Sequence, residues 1–541
     1  MSMEQVLKEK ISHALQELDI HLELSQIVIE HSKEKEHGDF ATNVAMQLAR
    51  TLKKNPMLIA QDIVAKLPQE DFSKVEVARP GFINFFLKAD SLGEIVETIL
   101  SNPEHFGDSN LGKGKRINVE FVSANPTGDL HLGHARGAAL GDTICRLYQK
   151  VGYDVTREFY VNDAGNQINH LGESIRARYH QLFGDMIPVP DDGYHGEDLK
   201  EIVQAMKKEV GDRYLQDSDE AMHYFMRRGV ELELDKLNRD LMDFRVHFDK
   251  FSFETDIRAQ HGVEKVLEGT KAYTYESEQA LWLKTTEFGD DKDRVLIKSD
   301  GSYTYLLPDI AYHLDKLSRG YDQLIDLFGA DHHGYISRMK GALQMFGYSK
   351  DVLEIELIQM VRLFKNGEEF KMSKRTGNAV SLRELCEEIG VDAARYFFVS
   401  RAASAHLDFD LNLATEQSSA NPVYYAQYAH ARLAKVLRLG KDIAFENKAT
   451  GLEEESEKKL LKVLSEYPHE VEVSAVERSP YRLTAYIQKL AAAIHGFYTE
   501  CKIIGDDIEL TKSRMALSKA AKIVMKQALD LIGVNAPEEM K

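Results

Sequence analysis

One stretch constrains this chain more than any other: Ile117 to Val151, INVEFVSANPTGDLHLGHARGAALGDTICRLYQKV. It opens with a largely apolar run, Ile117 to Val122, turns through a segment rich in Asn, Pro and Gly, and continues with helical periodicity. That order predicts strand, loop and helix. Leu140, Ile144, Leu147 and Val151 fall at three- and four-residue steps, a stripe for burial, and Gly152 just beyond them is a stop signal. A second apolar run, Val155 to Val161, completes a βαβ unit. Its first loop then lies at the carboxyl end of a parallel strand, the edge where open α/β sheets bind ligands.

His131 and His134 sit in that loop, at the mouth of the helix. Unpaired N–H groups and the positive dipole end at a helix N-terminus attract phosphate, and glycine admits a nucleotide close to the backbone. Two imidazoles there are suited to donate hydrogen bonds to a phosphate whose charge grows in a transition state. Two surface histidines, or a metal pair one helical turn apart, are the alternatives. A metal site wants further ligands, and no Cys cluster or HExxH supplies them.

Ala124 to His134, ANPTGDLHLGH, resembles the HIGH signature of class I aminoacyl-tRNA synthetases in the long form carried by arginyl-tRNA synthetases. Lys371 to Lys374, KMSK, resembles that family's KMSKS loop, with Arg375 in place of the last Ser. The resemblance extends to YVNDAGNQ (160–167), GADHHG (329–334) and NPVYYAQYAHAR (421–432), and so covers essentially the whole chain. It implies an arginine–tRNA ligase that forms arginyl-adenylate from arginine and ATP, the latter with Mg2+, and passes arginine to the 3′ end of tRNA(Arg). Another class I adenylate-forming enzyme, or an inactive synthetase-like RNA-binding protein, are the rival readings.

The resemblance also implies roles for residues. His131, His134, Lys371 and Lys374 would be catalytic. Thr127, Gly128, Leu132 and Gly133 in the first signature, Asp331, His332 and His333, and Met372 and Ser373 in the second would bind ATP. Glu120, Ser123, Asn125, His131, Tyr305 and Asp309 would bind arginine. Asp309 has a simpler alternative, as the cap of a helix beginning near Ile310. Asn84, Tyr424, Tyr425, Tyr428, His430 and Arg432 would bind tRNA, although tyrosines at helical spacing also serve plain packing.

A chain of 541 residues holds several domains. The fold expected is α/β: a Rossmann-like parallel-sheet catalytic domain with helical insertions over 107–415, a small α+β N-terminal domain over 1–106, and an all-α C-terminal domain over 416–541. In the first, Leu7, Ile11, Leu15 and Leu18 mark a helix, Phe40, Val44, Leu48 and Leu52 hint at another, and Pro80 to Leu87 reads as a strand. Ser101 to Lys115 is a linker by composition, and Asn166 to Tyr303 reads as mostly helical and charged. Ser381 and Glu384 form a capping box just after the lysine loop.

A net charge of -19 argues at first against RNA, but from Glu416 onward 18 basic residues balance 18 acidic ones. A local basic face can bind RNA on an acidic protein. No apolar stretch is long enough for a bilayer, and the N-terminus lacks a signal-peptide core. Cys145, Cys386 and Cys501 form no zinc or disulfide pattern, which fits a reducing cytoplasm and no zinc. A monomer is a separate expectation, which the cysteines do not carry.

Overall fold

The structure is a computed structural model and describes residues 3–31, 37–196, 198–332, 334–370 and 380–540. Five parallel strands form its central sheet: β1 (Arg116–Glu120), β2 (Asp154–Val161), β3 (Lys250–Phe253), β4 (Gln323–Gly329) and β5 (Leu353–Ile358). Their spatial order is β5-β4-β1-β2-β3. The chain runs outward from β1 to β2 on one side and β4 lies on the other, so the loops leaving β1 and β4 diverge and open a crevice. Asp326, Glu120 and Glu158 occupy one register row across β4, β1 and β2.

Helix α1 (Leu132–Lys150) returns the chain from β1 to β2. The predicted stripe Leu140, Ile144, Leu147 and Val151 is buried, and so is every residue from Ala135 to Cys145. The extra burial follows from small residues: the Phe121 ring lies where a Cβ on Gly141 would be. Helices therefore cover the side away from the sheet, α4 (Val391–Val399) among them. Two further helices build the crevice, α2 (Leu306–Ser318) and α3 (Tyr335–Met345).

The N-terminal unit is a four-stranded antiparallel sheet ordered Ile29–His31, Phe40–Thr42, Phe82–Leu87, Phe72–Ala78. Helices Met3–Gln16, Val44–Leu52 and Pro56–Lys66 accompany it, with Leu7, Ile11 and Leu15 buried. Phe40 belongs to a strand, not to the helix that its spacing hinted at. Helices Asn166–Gln181, Asp198–Val210 and Asp219–Asp243 make up the expected insertion, but residues beyond it depart from the helical reading. They include β3 and a small antiparallel sheet of Thr274–Ser277, Ala280–Leu283 and Arg294–Ile297. Its first hairpin turns on Glu278 and Gln279, both left-handed at φ +53° and +60°. Such a turn usually announces itself with Asn or Gly, and here it does not.

From α5 (Pro422–Leu439) the chain is helical, through Glu455–Val476 and Pro480–Glu500 to α6 (Ile508–Leu531). The segment read as a linker is fastened to this bundle: Phe106 stacks on Tyr467 at 5.8 Å, and Gln527 Nε2 donates to the Pro103 carbonyl at 2.7 Å. Among the described residues no helix is long and apolar enough to cross a membrane.

Asp142 of α1 joins sheet and bundle. Fully buried, it accepts from Arg395 of α4 at 2.6 Å and from Arg146 at 2.7 Å. Arg395 also donates to the Ile532 carbonyl at 2.9 Å, and Arg146 to the Asp530 carbonyl at 3.0 Å, just where α6 ends. Burial alone would raise the Asp142 pKa, but Arg395, Arg146 and Arg157 together hold it below the usual carboxylate range. Asp142→Ala leaves a buried guanidinium unpaired and is expected to cost about 3–5 kcal/mol, read as a lower calorimetric Tm. A depressed carboxylate pKa stabilises above the unfolded value, about 3.9, and this is lost as pH falls through the folded value. The Tm gap between wild type and variant should therefore close on acidification. An unchanged Tm at neutral pH would mean that backbone contacts suffice.

Candidate active site

A cleft of about 1270 Å³ opens at the carboxyl ends of β1 and β4. Its lining brings together Glu120, Ser123, Asn125, His131, Leu132, Gly133, His134, Tyr305, Asp309 and His332 of the residues singled out in the sequence. Thr127 and Gly128 do not line it. Asp331 lies in the turn Ala330–His332 beside it. His333 and the Lys371, Met372, Ser373, Lys374 motif lie outside the described residues. The residues flanking that motif, Phe370 and Val380, both line the cleft.

The chain leaves β1 under strain. Val122 and Ser123 have φ of +69° and +38°, and for a β-branched residue that is an outlier. The turn is held by Ser123 Oγ, which donates to Glu120 at 2.9 Å and accepts from the Tyr160 N–H at 3.1 Å.

At the start of α1 the two imidazoles cap the helix themselves. His131 Nδ1 accepts from the N–H groups of Gly133 at 3.0 Å and His134 at 3.3 Å, and His134 Nδ1 accepts from the His131 N–H at 3.4 Å. The N–H groups expected to meet phosphate are therefore already taken. Gly133 makes room for a ring, not a ligand, since a Cβ there would lie 2.9 Å from His131 Cε1. With each Nδ1 an acceptor, each ring carries its proton on Nε2. Burial lowers both pKa values, His134 to about 3 with help from His131. The stacked rings, 3.6 Å apart, are thus two uncharged donors at neutral pH.

The opposite wall is acidic. Lys316 of α2 bridges Glu120 and Asp326, the latter at 2.8 Å. His313 Nε2 bonds Asp326 at 2.7 Å and its Nδ1 the Asp309 carbonyl at 2.7 Å. Burial opposes charge on His313, yet Asp326 outweighs it and raises its pKa, so the ring is an imidazolium donating from both nitrogens. Burial raises Glu120 despite Lys316, whereas Lys316 and His313 bring Asp326 down to about 2 against its own burial. Asp309 is pushed up to about 7, chiefly by burial, although the Tyr335 hydroxyl bonds it. The helix-cap alternative for Asp309 fails: α2 begins at Leu306 with Tyr305 as its cap residue, so Asp309 lies inside the helix.

Sequence reasoning missed Tyr160, Tyr312, His313, Tyr335 and Arg338, all of which line the cleft. A signal existed for some. Asp309, Tyr312, His313 and Lys316 recur at three- and four-residue steps, a polar stripe on a helix whose neighbours are buried.

The residues singled out for RNA divide. Tyr424 and Tyr428 of α5 stack at 5.9 Å, and Arg432 lies over Tyr428 at 4.5 Å and Tyr498 at 4.9 Å. Tyr425 packs on His495 at 4.4 Å. His430 is fully buried and bonds the Pro537 carbonyl at 2.9 Å, away from that cluster. Asn84 alternates with the core residues Ile83 and Phe85, so it points away from the core, yet only 4% of it is exposed. Neither is open to a base in this conformation.

Three protein families match consecutive parts of the chain: "Arginyl tRNA synthetase N terminal domain" over residues 5–87, "tRNA synthetases class I (R), catalytic domain" over 95–435, and "DALR anticodon binding domain" over 426–540. The arginine–tRNA ligases of Bacillus licheniformis and Bacillus subtilis are each 50% identical to it over 550 residues, covering 99% of both chains. The arginyl-tRNA synthetase structure from Thermus thermophilus shares the fold, with a TM-score of 0.78 at 21% identity over 99% of this chain and 100% of that one. Agreement of sequence from end to end with an acid-walled cleft beside paired imidazoles leaves one assignment: the chain belongs to the arginyl-tRNA synthetase family.

Proposed function

We propose that this cleft carries out both steps of arginine–tRNA ligation, and that its acidic wall selects the amino acid. ATP and arginine enter, the arginine carboxylate attacks the α-phosphate, and pyrophosphate leaves; the 3′ end of tRNA(Arg) then takes the arginyl group. The carrying observation is Asp309, a carboxyl facing the cleft with no ion-pair partner among the described residues and a pKa raised to about 7. A guanidinium offers it two parallel donors, which lysine cannot. Glu120, with Ser123 and Asn125, borders the same space, and Tyr305, 84% exposed, stands at its mouth.

His131 and His134 donate from Nε2 to the phosphate, where neutral donors stabilise growing charge without first binding a proton. Lys371 and Lys374 take the charge of departing pyrophosphate. Mg2+ enters with the phosphates of ATP: no group of three or more His, Cys, Asp or Glu among the described residues is arranged to hold a metal. Tyr424, Tyr428 and Arg432 offer a stacking and cationic face to tRNA. We read the chain as a cytoplasmic monomer; its three cysteines are unpaired, as a reducing compartment requires. Aminoacylation of total tRNA with each amino acid in turn tests the reading, with arginine alone expected to be charged.

Asp309→Asn is expected to raise the Michaelis constant for arginine about 100-fold, the loss of a charged two-point hydrogen bond. In wild type, arginine binding should weaken as pH falls below about 7, because the protonated carboxyl cannot pair with a guanidinium. A raised folded pKa means stability present below the unfolded value and lost as pH rises through about 7. The variant should therefore match or exceed the wild-type Tm above that pH. Normal arginine kinetics with a lowered Tm would make Asp309 merely structural.

Lys374→Ala should slow adenylate formation by about 100- to 1000-fold while ATP binding changes little, because a contact made only as charge separates acts on the transition state. An unchanged turnover number with a raised Michaelis constant for ATP would assign the lysine to substrate binding.

Pyrophosphate exchange with arginine is expected to depend on tRNA, as the family resemblance implies. A bound RNA shifts the cleft only by preferring one of its conformations, and α1, which carries both imidazoles, is bonded to the end of α6 through Arg146. Full exchange by RNase-treated enzyme would refute this dependence.

A further inference from the structure

Positive charge is unevenly committed among the groups that line the cleft. No described lysine lines it, and its two arginines are Arg338 and Arg362. Arg362 is spent on Asp408, to which its Nε donates at 2.9 Å and its Nη2 at 3.1 Å. The His313 imidazolium is held between Asp326 and the Asp309 carbonyl, and the His131 and His134 rings are uncharged. That leaves Arg338, whose Nε donates to the Gly334 carbonyl at 2.8 Å and whose two Nη nitrogens have no partner among the described residues.

The cation sits where its own helix opposes it. Arg338 folds back over the start of α3, so closely that a Cβ on Gly334 would lie 3.2 Å from Arg338 Nη2. Gly334 is the cap residue of α3, it offers no side-chain cap, and the first turn holds no acidic residue. A guanidinium there meets the positive end of the helix dipole with no carboxylate between them, an arrangement that an anion relieves. The bond to the Gly334 carbonyl orients the guanidinium plane and leaves two parallel donors for an oxyanion.

The adenylation step brings two anions into the cleft, the phosphates of ATP and the carboxylate of arginine. Gly334 directly follows Asp331, His332 and His333, the segment to which the family resemblance gives ATP. The arginine carboxylate is the nucleophile, and a charged two-point hydrogen bond would stabilise its ionised form and slow its attack. We propose that Arg338 binds a phosphate of ATP through Nη1 and Nη2, a contact made in the ground state and kept through the reaction. This rests on the reading that the cleft activates arginine with ATP. A contact equally strong in both states lowers the Michaelis constant without raising turnover. Arg338 and Lys374 thus divide the phosphates: one holds ATP, and the other meets the charge that separates.

The test is calorimetric titration of the full chain with ATP and with adenosine, beside aminoacylation of tRNA(Arg). Arg338→Ala should weaken ATP about ten- to hundredfold, the range for one charged hydrogen-bonded contact, and leave adenosine within about twofold. The Michaelis constant for ATP should rise in step, with the turnover number and the Michaelis constant for arginine unchanged. Arg338→Lys, which keeps a point charge without the fork, should fall between wild type and Arg338→Ala. Arg338→Gln keeps a donor for the Gly334 carbonyl and loses the charge, so it should weaken ATP with the start of α3 still bonded. Unchanged ATP affinity in Arg338→Ala, equal loss of ATP and adenosine, or a rise confined to the Michaelis constant for arginine would overturn the proposal. A wild-type enzyme that charges no arginine would refute the reading of the cleft itself, whereas normal charging with unaltered ATP binding by Arg338→Ala would refute only the role of Arg338.

Discussion

The cleft depends on one row of buried charge. Asp326, Glu120 and Glu158 stand side by side on β4, β1 and β2, all at most 3% exposed. Carboxylates so placed repel one another, and burying each without a partner costs several kcal/mol. Helix α2 answers with His313 and Lys316 over the first two and Arg319, 2.8 Å from Glu158, over the third. The row is then close to neutral, and Asp309, one helical turn before His313, is the carboxyl left over. On the proposed function a cationic side chain completes the set, and selectivity would rest on the packing of one helix on three strands.

The imidazole side is organised by the opposite device, the withholding of charge. Two imidazoles cap one helix end, and capping fixes their protons on Nε2. The same segment is also tied to the start of the helix Leu382–Ile389. The Leu382 N–H donates to the Leu130 carbonyl at 2.7 Å, and His131 bridges Ser381, the cap residue of the helix Leu382–Ile389. The imidazole pair and the first residues of that helix are therefore joined through their backbones.

Much of this was legible in the sequence because it rests on local pattern. The βαβ unit, the stripe of α1, the capping box at Ser381 and Glu384 and the helical C-terminus all follow from periodicity and turn residues. Other features are settled by distant contacts. That His430 faces away from Tyr428 follows from helical spacing, but its burial depends on the tail around Pro537. Asn84 lies on the outward face, as strand alternation allows, and its cover is tertiary. The hairpin at Glu278 and Gln279 carries no turn signature, and Lys316 looks in sequence like any solvated lysine until Glu120 and Asp326 are placed beneath it. The first signature was located correctly, yet its glycine and N–H groups serve the His131 ring.

The bracing of Asp142 by Arg395 and Arg146 bears on how freely such a chain can be rearranged. Gly533 follows α6 with φ +70° and lies against the Arg395 guanidinium so closely that no side chain fits. The end of the helical bundle is thus part of the casing around α1. A bundle that recognised a different RNA could not simply be exchanged onto this sheet, because the exchange would uncover a buried carboxylate and its guanidinium together. Changes in what the bundle reads are confined to its outer faces, while its last turn is inherited with the catalytic core.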